Sequence, residues 1–461
     1  MTKQKETEPK DNVTCCVCGR NEVDLFKIKF IPLNTERHLA ICEDCFHTIL
    51  RQSFTEENEI MPFDIVISDV EPKRQKAANP IIDNAKNRKA FPADKKIPTP
   101  QAIKKYLDQY IIGQENAKEI LSVAAYNHYK LLRYKYNVPS KERVVELDKS
   151  NIIMCGASGV GKTATIKRLA EFLEVPVAIC DCSSLSKTGY VGRDPLYILN
   201  ELVYKAGQDV LAAQRGIIYL DEFDKLAKKK DIANKDVTGE GVQQELLKLI
   251  EGNVVELNLD GNTPTSGGTP VRIDTSDILF ICGGAFVGIE DMVKRRINSK
   301  SGQLERRPIG FSNIQETAMS RAVPQMMLNV TTEDFMQYGI IPEVLGRLPV
   351  ICAMRELTLD EFLQILTEPK NAIVRQYEEI FAIDDAVLIF ETGALKAIAD
   401  EAIYRKTGAR GLRSIMERVL NPAMYAIPNI NQPVEVIVSA DCVKKGKMPV
   451  IRKRTQIEAS A

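Results

Sequence analysis

The chain has 461 residues, with 62 Lys+Arg balanced by 62 Asp+Glu, 44% hydrophobic and 27% charged residues. That length predicts about three domains, and the composition excludes a wholly disordered or collagen-like chain. Zero net charge argues against general attraction to nucleic acid, 6% aromatics with no Trp argues against stacking platforms for single strands, and no apolar run reaches the roughly 18–20 residues that span a bilayer. The polar start, MTKQKETEPKDN, carries no apolar signal segment, so the expected compartment is the cytoplasm.

Residues 1–12 read as a disordered start. Residues 13–50 hold five of the eleven cysteines, four of them as Cys15-x-x-Cys18 and Cys42-x-x-Cys45, two knuckles with 23 residues between them. In a reducing compartment such pairs favour a metal over disulfides. Four thiolates suit structural Zn²⁺ and leave no open position for catalysis. Cys16 is a spare thiol, and the remaining six cysteines are expected to be small buried hydrophobes. Residues 51–98 carry Pro62, Pro72, Pro80, Pro92 and Pro98 with a charged run over Glu71–Lys76, which predicts a linker.

From residue 99 to 355 the fold class is α/β. Thr99 is a helix cap followed by Pro100 at the first helical position. Short apolar runs at Asn151–Cys155, Val175–Cys180, Gly216–Leu220 and Asp277–Cys282 alternate with helical patterns, predicting a parallel sheet between helices. Residues 356–451 predict a smaller, mostly helical domain, with helical patterns over Leu359–Tyr377, Ala394–Lys406 and Gly411–Ala426. Short strands are expected at Val434–Val438 and Val450–Arg452, and residues 452–461 form a tail.

Gly156-Ala157-Ser158-Gly159-Val160-Gly161-Lys162-Thr163 fits the phosphate-loop pattern, with an apolar strand before it and a helix after it. The glycines let backbone N–H groups turn inward around a phosphate. Lys162 is placed to reach the β/γ oxygens of ATP and Thr163 to ligate Mg²⁺, with the helix N-terminus aimed at the anion. Gly216–Leu220 is a second apolar strand that delivers Asp221 and Glu222 at its C-terminal end. Asp221 would hold Mg²⁺ through water, and Glu222 would orient and deprotonate the attacking water.

Together these residues resemble the ClpX family of AAA+ unfoldases, the ATP-binding subunits of the Clp protease. The resemblance runs from Cys15 to about Ile451. It is carried by Tyr110–Gln114, the phosphate loop, Leu220–Lys225, Gly239–Gln244, Ile340–Glu343, Gly346–Pro349 and Lys406–Arg413. It implies an AAA+ P-loop ATPase with a C-terminal helical small domain and an N-terminal four-cysteine zinc-binding domain that dimerises and receives adaptors. It also implies a homo-hexamer that unfolds tagged or unfolded protein substrates through a central pore and delivers them to the ClpP peptidase, with no nucleic acid or membrane partner. In that family Arg347 matches the arginine finger, reaching a neighbouring subunit's ATP, and Arg410 the sensor arginine of the small domain. Ile111 and Ile112 match the adenine slot. Gly189-Tyr190-Val191-Gly192 matches the pore loop, where Tyr190 and Val191 grip polypeptide. Ile309-Gly310-Phe311 matches the tripeptide that docks on the peptidase.

Two stretches depart from the pattern. Between Gly252 and Ile273 the family places an Arg-Lys-His cluster that favours negatively charged tails, whereas here no basic residue precedes Arg272. An altered tag preference is expected. The strand ending Ile281-Cys282-Gly283-Gly284 lacks the Asn or Thr that related ATPases use as a first sensor. A free-standing remodelling chaperone without a peptidase partner is the alternative function. A zinc-ribbon nucleic-acid motor is disfavoured by charge and aromatic content, and an inactive scaffold by the presence of Lys162, Asp221, Glu222 and Arg347.

Overall fold

A computed structural model of the chain describes residues 30–34, 39–42, 96–139, 142–145, 147–186, 193–227, 237–258, 270–300 and 327–454. The chain divides into two units, 1–78 and 79–461. In the first, β1 (Phe30–Asn34) and β2 (Leu39–Cys42) form an antiparallel hairpin that pairs Phe30 with Cys42, with an irregularity between Pro32 and Asn34. Of the four expected zinc ligands, Cys42 closes β2, and Cys15, Cys18 and Cys45 lie outside the described residues.

In the second unit, seven strands come first in chain order: β3 (Ile152–Cys155), β4 (Val177–Asp181), β5 (Ile217–Asp221), β6 (Val254–Asn258), β7 (Pro270–Asp274), β8 (Leu279–Gly284) and β9 (Val350–Ala353). Five of them make one parallel sheet in the order β4-β5-β8-β3-β9. Period-two alternation splits its side chains between two cores. Ile153, Cys155, Ile218, Leu220, Phe280 and Cys282 face one core, and Ile152, Met154, Ile217, Tyr219, Leu279 and Ile281 face the other. Burial on both faces explains why these strands read as continuous apolar runs. The expected four strands are present, and β9 adds a fifth that the sequence reading passed over: Val350–Ala353 is short and follows directly on Pro349.

Helices cover both faces, Glu115–Asn137 and Lys162–Leu173 on one and Tyr197–Lys205 and Val237–Glu251 on the other. Thr99 caps the helix Pro100–Leu107, its side chain accepting from the Ala102 N–H. The stretch Gly252–Ile273, read as a loop, is a hairpin in its arms, with β6 and β7 antiparallel and Val254 opposite Asp274. Strong local pairing of β-branched residues there was masked in sequence by the polar tip between them.

Beyond Arg355 a separate core forms around Leu412, Ile415, Met416 and Val419 of the helix Ala409–Ala426. Its three-stranded sheet joins β10 (Ala386–Phe390) in parallel to β11 (Val434–Val438), which runs antiparallel to β12 (Val450–Lys453). β11 and β12 were expected and β10 was not. The helical run expected over Leu359–Tyr377 is two helices, Leu359–Thr367 and Ile373–Ile383. Pro369 falls between them and has no N–H to carry the helix on. Among the described residues no helix is long and apolar enough to cross a membrane. Cys155, Cys180, Cys182, Cys282, Cys352 and Cys442 are all buried and unbridged, and burial raises the thiols of Cys155 to about 12 and Cys180 to about 11, as expected for core residues.

Candidate active site

The loop after β3 opens at the C-terminal end of the sheet, beside the point where connections depart to opposite sides. Gly159 and Gly161 take positive φ of +80° and +104°, a region that side chains with a Cβ avoid. A Cβ on Gly159 would also lie 2.6 Å from the Thr407 carbonyl oxygen. Val160 is buried in the core, and Ala157 packs against it from the edge. Lys162 opens the following helix and is 8% exposed. Its Nζ donates to the Gly156 oxygen at 2.6 Å and the Ala157 oxygen at 3.0 Å. Burial lowers the Lys162 pKa, while Asp221 and Asp224 pull it back up. The ammonium therefore rests on carbonyls of its own loop, at the place where a phosphate would compete for it.

Asp221 ends β5 and Thr163 lies one helix position beyond Lys162, yet Thr163 Oγ1 donates to Asp221 Oδ2 at 2.7 Å. β8 stands between their two strands, and it ends in Gly283 and Gly284, which put no side chain in the way. Asp221 Oδ1 accepts from the Glu222 N–H at 3.0 Å and from the Tyr219 hydroxyl at 3.3 Å. A hydroxyl and a carboxylate so joined are the hard oxygen donors that Mg²⁺ prefers. Glu222 is exposed and takes φ +55°, a left-handed conformation uncommon for a residue with a Cβ. Asp224, 7% exposed, accepts from the Ala285 N–H at 3.0 Å and fixes the chain leaving β8.

The smaller helical part meets the loop directly. The Ala409 N–H, first of its helix, donates to the Gly159 oxygen at 2.9 Å. Gly408 has φ +60°, and a Cβ there would sit 2.6 Å from the Ser158 oxygen. Arg410, exposed on the first turn of that helix, is near enough for its charge to depress the Lys162 pKa. Ile111 and Ile112 lie in the turn before the helix Glu115–Asn137, Ile111 buried and Ile112 half-buried. Lys118 pins this turn: its Nζ meets the Ile111 oxygen at 3.3 Å, Glu115 at 2.7 Å and Asp108 at 2.5 Å.

Next along, Gln114 exchanges two hydrogen bonds with the Arg355 backbone, at 2.7 and 3.0 Å. The Arg355 guanidinium in turn grips Glu361 with two bonds, 2.7 and 2.5 Å. That pairing holds the Glu361 carboxyl below its usual range against the opposing effect of burial. Lys118, Arg355 and Glu361 went unnoticed in sequence, and Gln114 stood there only as the end of the Tyr110–Gln114 block. Only a left-handed Gly113-Gln114 pair, φ +65° and +59°, marks the site, and backbone angles are invisible there.

Arg347 is elsewhere. It precedes β9, and its carbonyl accepts from Asn151, which precedes β3, at 3.1 Å. It therefore lies at the N-terminal end of the sheet, about 15 Å of strand from its own phosphate loop. Its guanidinium is 55% exposed and pairs with Glu251 at 3.1 Å. Tyr190, Val191, Ile309, Gly310 and Phe311 lie outside the described residues. Arg272, the first basic residue in the altered hairpin, is engaged by Glu256 at 2.7 and 2.8 Å.

Comparison with known proteins agrees with this geometry. Residues 147–351 match the AAA domain (Cdc48 subfamily), and residues 357–432 match the C-terminal D2-small domain of ClpB protein. The chain is 41% identical over 433 residues to an ATP-dependent Clp protease ATP-binding subunit ClpX from Borrelia duttonii, covering 93% of this chain and 90% of that protein. A protein of the same name from Treponema denticola is 42% identical over 365 residues, 78% of this chain and 85% of its own length. A ClpX 3 from Methylococcus capsulatus is 43% identical over 371 residues, covering 79% and 84%.

Proposed function

Because the chain belongs to the ClpX family of Clp protease ATP-binding subunits, we propose that it is an ATP-dependent unfoldase and translocase that delivers protein substrates to a ClpP peptidase. The observation that carries the reading is the contact between the phosphate loop and the helix Ala409–Ala426, through the Ala409 N–H and Gly159 oxygen. Nucleotide at that loop cannot come or go without the smaller helical part feeling it.

In this reading the Gly156–Thr163 loop binds the phosphates of ATP and the turn at Ile111 and Ile112 clasps the adenine. Lys162 leaves the Gly156 and Ala157 oxygens for the β/γ-phosphate oxygens, where its charge is better matched. Thr163 and Asp221 hold Mg²⁺, which supplies charge neutralisation across the phosphates. Glu222 orients the attacking water and takes its proton. Arg410 reports the phosphates to the helix Ala409–Ala426, and Gln114, Arg355 and Glu361 form the joint about which that part turns. Arg347, at the far end of the sheet, serves the ATP of a neighbouring subunit, which requires a closed ring such as a homo-hexamer.

Each turn of the joint would draw Tyr190 and Val191 along the ring axis with substrate gripped by packing. Ile309, Gly310 and Phe311 would dock on the peptidase. Cys15, Cys18, Cys42 and Cys45 form a thiolate set suited to a structural Zn²⁺, and the domain they hold would receive adaptors and some substrates.

The test is ATP-dependent loss of fluorescence from a stably folded, tagged reporter with peptidase present, comparing the wild type with Glu222→Gln. Loss with the wild type alone is expected. Robust ATPase with no loss across a panel of tags would overturn the unfoldase reading. Phe311→Ala should abolish the wild type's co-sedimentation with the peptidase ring while unfolding persists; a wild type that does not co-sediment would favour the free-standing chaperone, and unchanged co-sedimentation of the variant would overturn the docking role of Phe311.

A further inference from the structure

The strand that should carry a polar first sensor ends in Gly283 and Gly284, and the structure shows what fills the space. Gly283 lies one residue past the Leu220–Cys282 pair of β5 and β8, beside Asp221. Tyr219 precedes Asp221 by two residues on β5, so both side chains project from the same face. The Tyr219 ring is fully buried, and a Cβ on Gly283 would fall 2.1 Å from its hydroxyl oxygen. The phenol thus occupies the volume that a side chain from β8 would need.

We propose that Tyr219 is a positioning residue of the hydrolytic site: its hydroxyl, lying over Gly283, holds Asp221 in place to receive Mg²⁺. This rests on the reading of the site as a magnesium-dependent ATPase. Asp221 has three donors. Thr163 takes Oδ2, and the Glu222 N–H and Tyr219 hydroxyl share Oδ1. Thr163 is itself a metal ligand in that reading, so its bond to Oδ2 is provisional. What then stays on Asp221 is one peptide N–H, from a residue with φ +55°, and the Tyr219 hydroxyl. The requirement for glycine at 283 follows from the same packing.

Tyr219→Phe keeps the buried ring and deletes only the hydroxyl. Binding of a fluorescent ADP analogue to the full chain, titrated with magnesium, reads the effect without relying on turnover. The half-saturating magnesium concentration should rise about fivefold, the worth of one modest hydrogen bond to a charged group. Binding of the analogue in EDTA should be unchanged, and kcat should fall by a similar factor with little change in KM for ATP. A purely structural tyrosine would instead lower the melting temperature and leave the magnesium midpoint where it was, and that result overturns the proposal. A wild type whose nucleotide binding ignores magnesium would overturn the ATPase reading beneath it, and the proposal with it.

Discussion

The two ends of the parallel sheet are built from the same strands and treat polar groups in opposite ways. At the C-terminal end, hydrogen bonds are provisional: Lys162 leans on the carbonyls of its own loop, and Thr163 leans on Asp221. Each partner is one that a nucleotide or its metal can replace. At the N-terminal end the partners are permanent. Asn151, 1% exposed, donates to the Arg347 oxygen and accepts from the Phe280 N–H, tying three neighbouring strands together. Thr275, fully buried, donates to the Leu249 oxygen and accepts from the Asn253 N–H. Buried polar groups at one end hold the sheet, and at the other they wait for ligand. Substitutions at the C-terminal end should therefore cost activity before stability, and those at the N-terminal end the reverse.

The largest effect expected is at Lys162. Lys162→Ala should lower ATP hydrolysis by about 10²–10³-fold, the usual loss for one preorganised charge-stabilising group, with thermal stability nearly unchanged because the bonds it loses are to its own loop. A melting scan beside a phosphate-release assay separates the two. A large stability loss with modest loss of turnover would break the comparison.

Arg347 belongs to the N-terminal end by position and, in the proposed ring, to catalysis by role, and mixing tests whether both can hold. Lys162→Ala and Arg347→Ala should each be inactive alone. Mixed in equal amounts and allowed to exchange, they should recover about a quarter of wild-type ATPase, since half the intact loops then sit beside an intact arginine in a cyclic ring. No recovery despite subunit exchange would place Arg347 in its own chain's site, against the strand length that separates them.

His128 tests the N-terminal end by pH. It is 3% exposed, in the helix Glu115–Asn137. Burial is the main cause holding its pKa down at about 4; the Lys149 charge adds to that, Asp277 opposes it, and the Lys135 charge contributes least. The folded state keeps the ring neutral, whereas an unfolded chain takes up a proton below about 6.5. Its contribution is intact above pH 6.5 and falls away as pH drops toward 4, by about 3 kcal/mol in all. Urea midpoints measured from pH 7 to 4.5 should decline less steeply in His128→Phe than in the wild type. Parallel declines would show that carboxylates elsewhere dominate.

Asn151→Ala should destabilise the sheet by about 2 kcal/mol, because it strands a buried N–H and a carbonyl at once, and the urea midpoint reads it. Nucleotide affinity should not change, since the phosphate loop lies at the other end of β3.

Much of this division was legible in sequence, and the reason is physical. Gly156–Thr163, Asp221 and Glu222 are contiguous stretches whose chemistry depends on local backbone, so residue order alone displays them. The strands that deliver them are buried on both faces and stand out as apolar runs. β9 and β10 were missed because four or five apolar residues carry no period that separates a strand from a core helix. The linked trio of Gln114, Arg355 and Glu361 spans 241 positions between its first two members, and Tyr219 looks like one more core aromatic until Gly283 is set beside it. Distance in sequence, and space left empty by glycine, are what a linear reading cannot display.

The smallest effect concerns the hairpin of β6 and β7, which is rooted at the N-terminal end through Thr275 and Asn253. The family's basic cluster is missing from it, and the nearest arginine, Arg272, is spoken for by Glu256 across the strands. Glu256→Gln should free that guanidinium. An exposed cross-strand pair contributes little to stability, so the melting temperature should hold. A freed positive charge near the hairpin should tighten binding of a tag peptide ending in a free carboxylate by about twofold at low salt, and the gain should vanish at high salt as screening sets in. Grafting basic residues over Asn262–Thr265 should enlarge the same effect. If neither change alters peptide affinity, then the hairpin does not read the charge of substrate tails, and the altered tag preference must be sought in another loop.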